Sequence, residues 1–316
     1  MTIEIVPFSS EHVGDAAALF SATVRSLRER LPALSATFAD PTETERRLLG
    51  MQGFAAVEGG HLVGYLTSRF PIQRFRRTDR VGAYVPEWGH GVLHTDIAAV
   101  YTALHRHASR TWADAGCEVH AITLLENGPA AIDAWFRAGF GMLLVDAVRP
   151  MEPIDAPPPL GVTIRAATTA DVAALAALDV EHCLHYAAPP VCMVPPAAYD
   201  ESAWAAFLAR PLNTAWLAEN GEGQVGFVRF DREFDGSALT EDGNGVFITG
   251  AFVRPDHRRR GISAALLDAG LRHYAAAGLR SCALDFEAVN PDAAAFWPRY
   301  FTPVCASLMR IPEVVQ

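Results

Sequence analysis

The feature that most constrains this 316-residue chain is that it reads as one series of segments written twice. Near each start a short strand pattern runs into an alanine-rich helix pattern, IEIVPFSSEHVGDAAALF from Ile3 and VTIRAATTADVAALAAL from Val162. A strand pair around a tight turn follows, FAAVEGGHLVGYLTSRF from Phe54 and AWLAENGEGQVGFVRF from Ala215. Gly82-Ala-Tyr-Val then matches Gly250-Ala-Phe-Val, and each half continues into a long helix ending at Ala115-Gly116 or Ala277-Gly278. A further strand leads to Asn127 or Asn290, then a helix carrying Trp135-Phe136 or Phe296-Trp297, and both halves close on an apolar strand. Between the copies, Arg149 to Gly161 carries five prolines and continues neither a helix nor a central strand. These observations predict a domain over residues 1–149, a stiff proline-rich linker over 150–160 and a second domain over 161–316.

The copies differ where chemistry would sit. In the second, Val246 to Val253 is an apolar, β-branched and aromatic run of strand length, broken by Arg254-Pro-Asp-His. Arg258-Arg-Arg-Gly-Ile-Ser follows, and from Ile262 apolar residues recur at helical spacing through Leu266, Leu267, Leu271 and Tyr274. A turn of this kind gathers backbone N–H groups and a helix N-terminus at one point, and three arginines add formal charge: an anion site. Gly261 removes a Cβ where a phosphate approaches the backbone. The alternative, an arginine-rich surface turn, leaves clustered cations repelling one another and the helix dipole. The first copy has Pro86-Glu-Trp-Gly-His-Gly-Val-Leu-His-Thr95 at this point, with no arginine and with an acid, Glu87.

The second-half stretch resembles the acyl-CoA-binding motif of the GNAT N-acetyltransferase superfamily: Arg or Gln, two residues, Gly, one residue, then Gly or Ala. Arg258, Gly261 and Ser263 stand at the fixed positions, Ser263 replacing the usual Gly or Ala. The segment order of that family covers nearly the whole chain twice. The resemblance therefore implies an α/β fold of two tandem GNAT-like domains, each a mixed central β-sheet flanked by helices, the N-terminal one a degenerate copy that is structural or forms a wall of the cleft.

By the same resemblance, acetyl-CoA is the co-substrate. Arg258, Arg259, Arg260 and Gly261 with the helix start Ile262, Ser263 and Ala264 hold its pyrophosphate. The two central strands splay apart to admit the pantetheine arm, with backbone contacts from Phe252 and Val253. Asn290 contacts the coenzyme and Phe296 packs beside it; read on its own, Asn290-Pro291 is equally a helix-start signal with Asn290 as cap. Family members often carry a tyrosine after that phenylalanine as general acid for the departing thiolate. Here the position is Trp297, and Tyr300 is the substitute.

Acyl transfer to an amine needs a base. Glu287 is the first choice and Asp285 the next, with Asp231 and Glu233 following a strand end; for each, a solvated or salt-bridged carboxylate is the plainer reading. Residues 231–242 hold five acids against one arginine and would attract a cationic amine if they rim the cleft. Glu181-His182-Cys183-Leu-His185 matches no zinc spacing, so no metal is expected, and the segment would instead line the acceptor pocket. The histidines of the first half (His90, His94, His105, His107, His120) are expected at the surface.

Composition narrows the partners. The net charge of −10 argues against nucleic acid. No apolar run reaches spanning length and no signal pattern opens the sequence, so a cytoplasmic protein without a membrane partner is expected. Five scattered cysteines read as reduced thiols. All 26 basic residues are arginine, which excludes lysine chemistry. The expected function is acetyl-CoA-dependent N-acetylation of a small-molecule primary amine by direct transfer, in a monomer or homodimer. A peptide or protein acceptor, or a non-catalytic acyl-CoA-binding regulator or scaffold, are the alternatives.

Overall fold

A computed structural model describes residues 3–126, 128–233, 236–241 and 243–313. Asn127, and Asp235 and Asp242 of the acidic loop, lie outside the described residues. The chain divides into two compact units, Met1–Val145 with Pro303–Gln316, and Asp146–Thr302.

In chain order the first half gives β1 (Glu4–Pro7), α1 (Val13–Arg30), α2 (Pro41–Leu48), β2 (Gln52–Glu58), β3 (His61–Ile72), β4 (Gly82–Val85) and β5 (His90–Val92). It continues with α3 (Ile97–Asp114), β6 (Val119–Leu125), α4 (Pro129–Arg137) and β7 (Gly141–Pro150). The second half repeats the order without an equivalent of β5 as a separate strand. It gives β8 (Thr163–Ala166), α5 (Val172–Ala187), α6 (Glu201–Leu208), β9 (Thr214–Asn220), β10 (Gly223–Asp231) and β11 (Gly245–Val253). Then come α7 (Ile262–Ala276), β12 (Ser281–Glu287), α8 (Pro291–Phe296) and β13 (Thr302–Arg310). Each unit is a mixed sheet with flanking helices, as the duplicated pattern predicts.

Local chemistry sets these elements. Along α1, Ala16, Ala17, Phe20, Val24 and Leu27 are buried at helical spacing, and Asp40 caps α2 by accepting from the Thr42 amide at 2.8 Å, with Pro41 at the first helical position. β6 is buried at every position, as a central strand covered on both faces must be.

The first unit has the strand order β1-β2-β3-β4-β6-β13, with β5 also on β3; the second has β7-β12-β11-β10-β9-β8. The closing strands are thus exchanged. The sequence reading gave each half its own last strand, but β13 pairs antiparallel with β6, from Cys305 opposite Leu125 to Arg310 opposite His120. β13 buries Val304, Cys305, Ala306 and Leu308. The two closing strands carry similar apolar patterns, and a period-two pattern fixes which face is buried but not which sheet the strand joins. The linker also differs from a free spacer. β7 runs through Pro150, the Met151 amide donates to the Arg280 carbonyl at 2.9 Å, and the amides of Ile154 and Asp155 donate to Asp268 Oδ1 at 2.7 and 3.0 Å. Residues 146–161 therefore belong to the second unit.

Register corrects the alignment of the two halves. After the tight turns, Gly64 stands three residues past His61 and Gly226 three past Gly223, so the two glycines are equivalent. Gly226 faces Val253, whereas Gly64 faces Val92. The counterpart of Ala251–Val253 is therefore His90–Val92 of β5, and the match of Gly82–Val85 to Gly250–Val253 is a local coincidence. In the first half a turn at Pro86–Gly89 interrupts what is one continuous strand in the second.

Among the described residues no helix is long and apolar enough to cross a membrane, and all five cysteines are free thiols. The first-half histidines are more buried than the sequence reading held. His90 is buried beside Tyr101, His120 is buried against Trp112, and His105 is partly buried among Trp112, Trp135 and Phe140. A ring sharing its edges with aromatic neighbours packs as a core residue.

Two expectations follow from this arrangement. Leu308→Ala should cost about 2–5 kcal/mol, and hydrogen exchange should rise in β4 and β6 while β10 and β11 stay protected. Burial pushes His90, His105 and His120 from 6.5 down to about 4. Between those values the unfolded chain binds more protons than the folded one, so stability should fall as pH drops through that window, by about 3 kcal/mol per histidine at most. Urea melts at stepped pH check this, and His120→Phe should flatten the acid limb.

Candidate functional site

β11 and β12 run parallel, paired from Gly245 opposite Ser281 to Ile248 opposite Leu284. Pairing between them ends there, while β11 stays paired to β10 through Val253. Beyond Ile248 the strands part, and the backbone edge of Thr249–Val253 faces a gap. The gap belongs to a cavity of about 530 Å³ within the second unit.

One end of this cavity is the start of α7. Gly261 holds φ +85° at the helix N-cap, a left-handed conformation that a side chain would strain, and makes no side-chain cap; Arg259 before it holds φ +59°. The Ala265 amide is the first to close a helical bond, onto the Gly261 carbonyl at 3.0 Å. The amides of Ile262, Ser263 and Ala264 therefore point out of the helix start, and all three residues line the cavity with Gly261 and Arg259. Arg260 is exposed and outside the wall.

Arg258 makes two protein contacts of its own. Its Nε donates to the Val253 carbonyl at 2.9 Å and its Nη1 meets Asp292 Oδ2 at 2.5 Å, with the guanidinium 5.8 Å from the Phe252 ring centre. It lines the cavity but ties the end of β11 to the start of α8. Asn290 fulfils its cap reading, Oδ1 accepting from the Asp292 and Ala293 amides at 3.2 and 3.3 Å, and it also lines the wall.

The wall continues through Phe252 and Val253, and through Phe296, Trp297 and Tyr300. The Tyr300 ring packs 5.1 Å from Phe296, one helical turn on, so the tyrosine displaced from the position of Trp297 still reaches the cavity. Of the carboxylates, Asp285 lines the wall; Glu287 is buried outside it, two residues on along the same face of β12. Asp231 and Glu233 do not line it: Asp231 accepts from the Glu233 amide at 3.0 Å, and exposed Glu233 pairs with Arg210 at 3.2 Å.

The other end is built by α5. His182, His185 and Tyr186 lie at helical i, i+3 and i+4 and all line the cavity. The sequence reading placed His182 and His185 at the acceptor pocket and missed Tyr186, although this spacing puts the three on one face. Burial pushes the Tyr186 phenol up, helped by the carboxylates of Asp285 and Glu287; burial and then the Arg258 charge push His185 down. Among the described residues no group of three His, Cys, Asp or Glu side chains could hold a metal ion.

The first unit carries the same frame filled from within. β4 and β6 are paired to Val85 opposite Ile122. There His90 Nε2 donates to the Thr123 carbonyl at 2.9 Å, and its Nδ1 lies 2.8 Å from the Tyr101 hydroxyl. The ring wedges the gap, leaving a cavity of about 130 Å³. The connection from strand to helix is residues 93–96, four residues against the eight of 254–261. Asp96 caps α3 by accepting from the Ala99 amide at 2.9 Å, so a carboxylate already occupies the helix start that α7 leaves open.

With this geometry in hand, residues 182–301 match the sequence model of the acetyltransferase (GNAT) family. The chain is similar to a GCN5-related N-acetyltransferase from Sphaerobacter thermophilus, at TM-score 0.56 and 16% identity over 99% of this chain and 98% of that one. It is also similar to a tandem GNAT protein from the clavulanic acid biosynthesis pathway, at TM-score 0.50 and 14% identity over the whole of both chains. At such identities the likeness is one of fold. No curated protein matches the sequence.

Gly261→Val removes the left-handed start of α7. If this helix start holds the diphosphate of an acyl-CoA, the substitution should raise the Kd for acetyl-CoA about tenfold or more by calorimetry, with the melting temperature of the free chain within a few degrees of wild type.

Proposed function

We propose, from the premise that residues 182–301 form an acetyltransferase (GNAT) family domain, that this chain is an acyl-CoA-dependent N-acetyltransferase using acetyl-CoA on a small-molecule primary amine. The observation that carries this reading is a single cavity running from an uncapped helix start to an opened strand pair and on to the histidine face of α5.

The residues divide the work along that cavity. The amides of Ile262, Ser263 and Ala264 at the start of α7 accept the negative charge of a diphosphate, and Arg259 and Arg260 add counter-charge. Gly261 gives this start its turn. The freed edge of Phe252 and Val253 receives the pantetheine arm, and a backbone N–H on it polarises the thioester carbonyl. Arg258 fixes that edge through the Val253 carbonyl and adds its charge to the same wall. Asn290 and Phe296 flank the arm, and Tyr300 stands as proton donor to the departing thiolate. Asp285 on the wall and Glu287 behind it place negative charge at the far end, where a protonated amine is drawn in. A cavity of about 530 Å³ shared with the pantetheine arm leaves room for a compact acceptor, which favours a small molecule over a peptide.

The first unit, with its gap wedged by His90 and its helix start capped by Asp96, serves a structural role in this reading.

Incubating the chain with acetyl-CoA and a panel of primary amines, while following free thiol and N-acetylated product, tests the proposal. Thiol released in step with acetylated amine, for at least one amine, is the expected result. Tight acetyl-CoA binding with no thiol release for any amine or peptide would instead identify an acyl-CoA-binding protein.

A further inference from the structure

Asp179 and His182 form a side-chain pair on α5 that no part of the coenzyme site uses. Asp179 is buried, 3% exposed, under the helix. Its Oδ2 accepts the Tyr199 amide at 2.8 Å, and its Oδ1 lies 3.4 Å from His182 Nδ1. Burial opposes its ionisation, but the hydrogen bonds from His182 and Tyr199 and the charge of Arg229 outweigh that, and the carboxyl sits below its ordinary value. Arg229 is held in turn by Thr249, its Nε donating to the hydroxyl at 3.0 Å and its Nη2 to the carbonyl at 2.7 Å. Its guanidinium lies 4.4 Å from the Tyr199 ring centre.

The imidazole of His182 is set by packing as well. It stands edge-on to Tyr186 at 5.0 Å and to Phe227 at 5.8 Å, and lies 6.0 Å from Phe252. The ring lines the cavity. With Nδ1 turned to Asp179, Nε2 has no hydrogen-bond partner among the described residues. A carboxylate that accepts from Nδ1–H selects the tautomer with its lone pair on Nε2 and stabilises the imidazolium once formed. Phe252, the ring's neighbour, immediately precedes the strand end where the thioester is placed above.

We propose that His182 is the proton acceptor for the amine and that Asp179 is its positioning residue, a role the sequence alone had given to Glu287. The inference rests on the N-acetyltransferase reading of the same cavity. The acceptor ammonium gives one proton to His182 Nε2, and the freed nitrogen lone pair forms the C–N bond at the thioester carbonyl carbon. The C–S bond breaks, the thiolate takes up the proton given by Tyr300 or by water, the second amine proton passes to that donor, and His182 returns its proton to solvent. The titratable and charged groups around this end of α5 are Asp179, Cys183, His185 and Tyr186 on the helix itself, Arg229 on β10, Arg258 ahead of α7, Asp285 and Glu287 on β12, and Asp292 on α8.

Steady-state rates of the full chain against pH, with calorimetric acetyl-CoA binding on each variant, test the assignment. His182→Gln should lower kcat roughly a hundredfold or more, abolish the acid limb of the kcat/KM profile and leave acetyl-CoA affinity within about twofold. Free imidazole should restore a substantial part of the rate to His182→Ala. Asp179→Asn should lower kcat by about tenfold and displace the acid limb. A His182→Gln enzyme with the wild-type rate and profile would overturn the assignment, as would inactive His182 variants that have lost coenzyme binding and that imidazole does not rescue. A wild-type chain that binds acetyl-CoA and acetylates no amine would overturn the enzymatic reading itself, and the assignment with it.

Discussion

The structure of the second unit turns on one interruption: the parallel hydrogen bonding of β11 and β12 ends at Ile248 and Leu284. A parallel sheet buried on both faces leaves no backbone group without a partner, so a gap in its centre is tolerable only if something else satisfies the exposed edge. Here Arg258 satisfies part of it by donating to the Val253 carbonyl, and the remaining edge faces a cavity. The arginine that a sequence motif marks as a phosphate ligand is thus also the brace that keeps the strands apart. An ion pair with Asp292 carries the brace to the start of α8, so the two walls of the gap are held by one side chain.

The first unit supplies an internal control built from the same elements. Its central strands part at the equivalent place, yet His90 hydrogen-bonds across the gap and Asp96 closes the helix start. Both substitutions follow one rule. A polar edge or an orphan helix terminus is a liability when no ligand visits it, and a protein side chain that satisfies it recovers about 1 kcal/mol per contact. Loss of a ligand site therefore reads as gain of a cap and a wedge, and not as loss of the frame. The neutrality of His90, enforced by burial against the opposing pull of its bond to the Thr123 carbonyl, belongs to the same solution.

Much of this was legible in the sequence, for identifiable reasons. The strand, turn and helix from Val246 to Gly278 were readable because helical periodicity, a glycine at the helix start and clustered arginines all point the same way. Most of the element order of both units followed from the repeat, but α2 and α6, the second helices before each strand pair, were not read from it. The strand exchange was not legible, because the pattern of Thr302–Arg310 fits the edge of either sheet. The pairing of Gly82–Val85 with Gly250–Val253 failed for a related reason: four similar residues carry less information than a register set by a distant hairpin. The face formed by Asp179, His182, His185 and Tyr186 was legible in principle, from spacing of three and four on a helix, but only once α5 was known to flank the cavity. That Asp285 lines the cavity while Glu287, two residues on along the same face, lies outside its wall depends on where the strands part, which no local pattern records.

The exchanged strand has a consequence for how the protein is made. A ribosome delivers residues 3–145 well before residue 310, yet the sheet of that unit lacks the neighbour of β6 until β13 arrives. The opening half of the chain must wait, with a long apolar edge uncovered, through the synthesis of some 160 further residues, on the order of ten to thirty seconds at ordinary elongation rates. During that interval the exposed flank of β6 is the place where β7, a strand of similar pattern already synthesised, could dock in error. The proline-dense segment after Pro150 and its anchorage on Asp268 give β7 a reason to leave with the second unit instead.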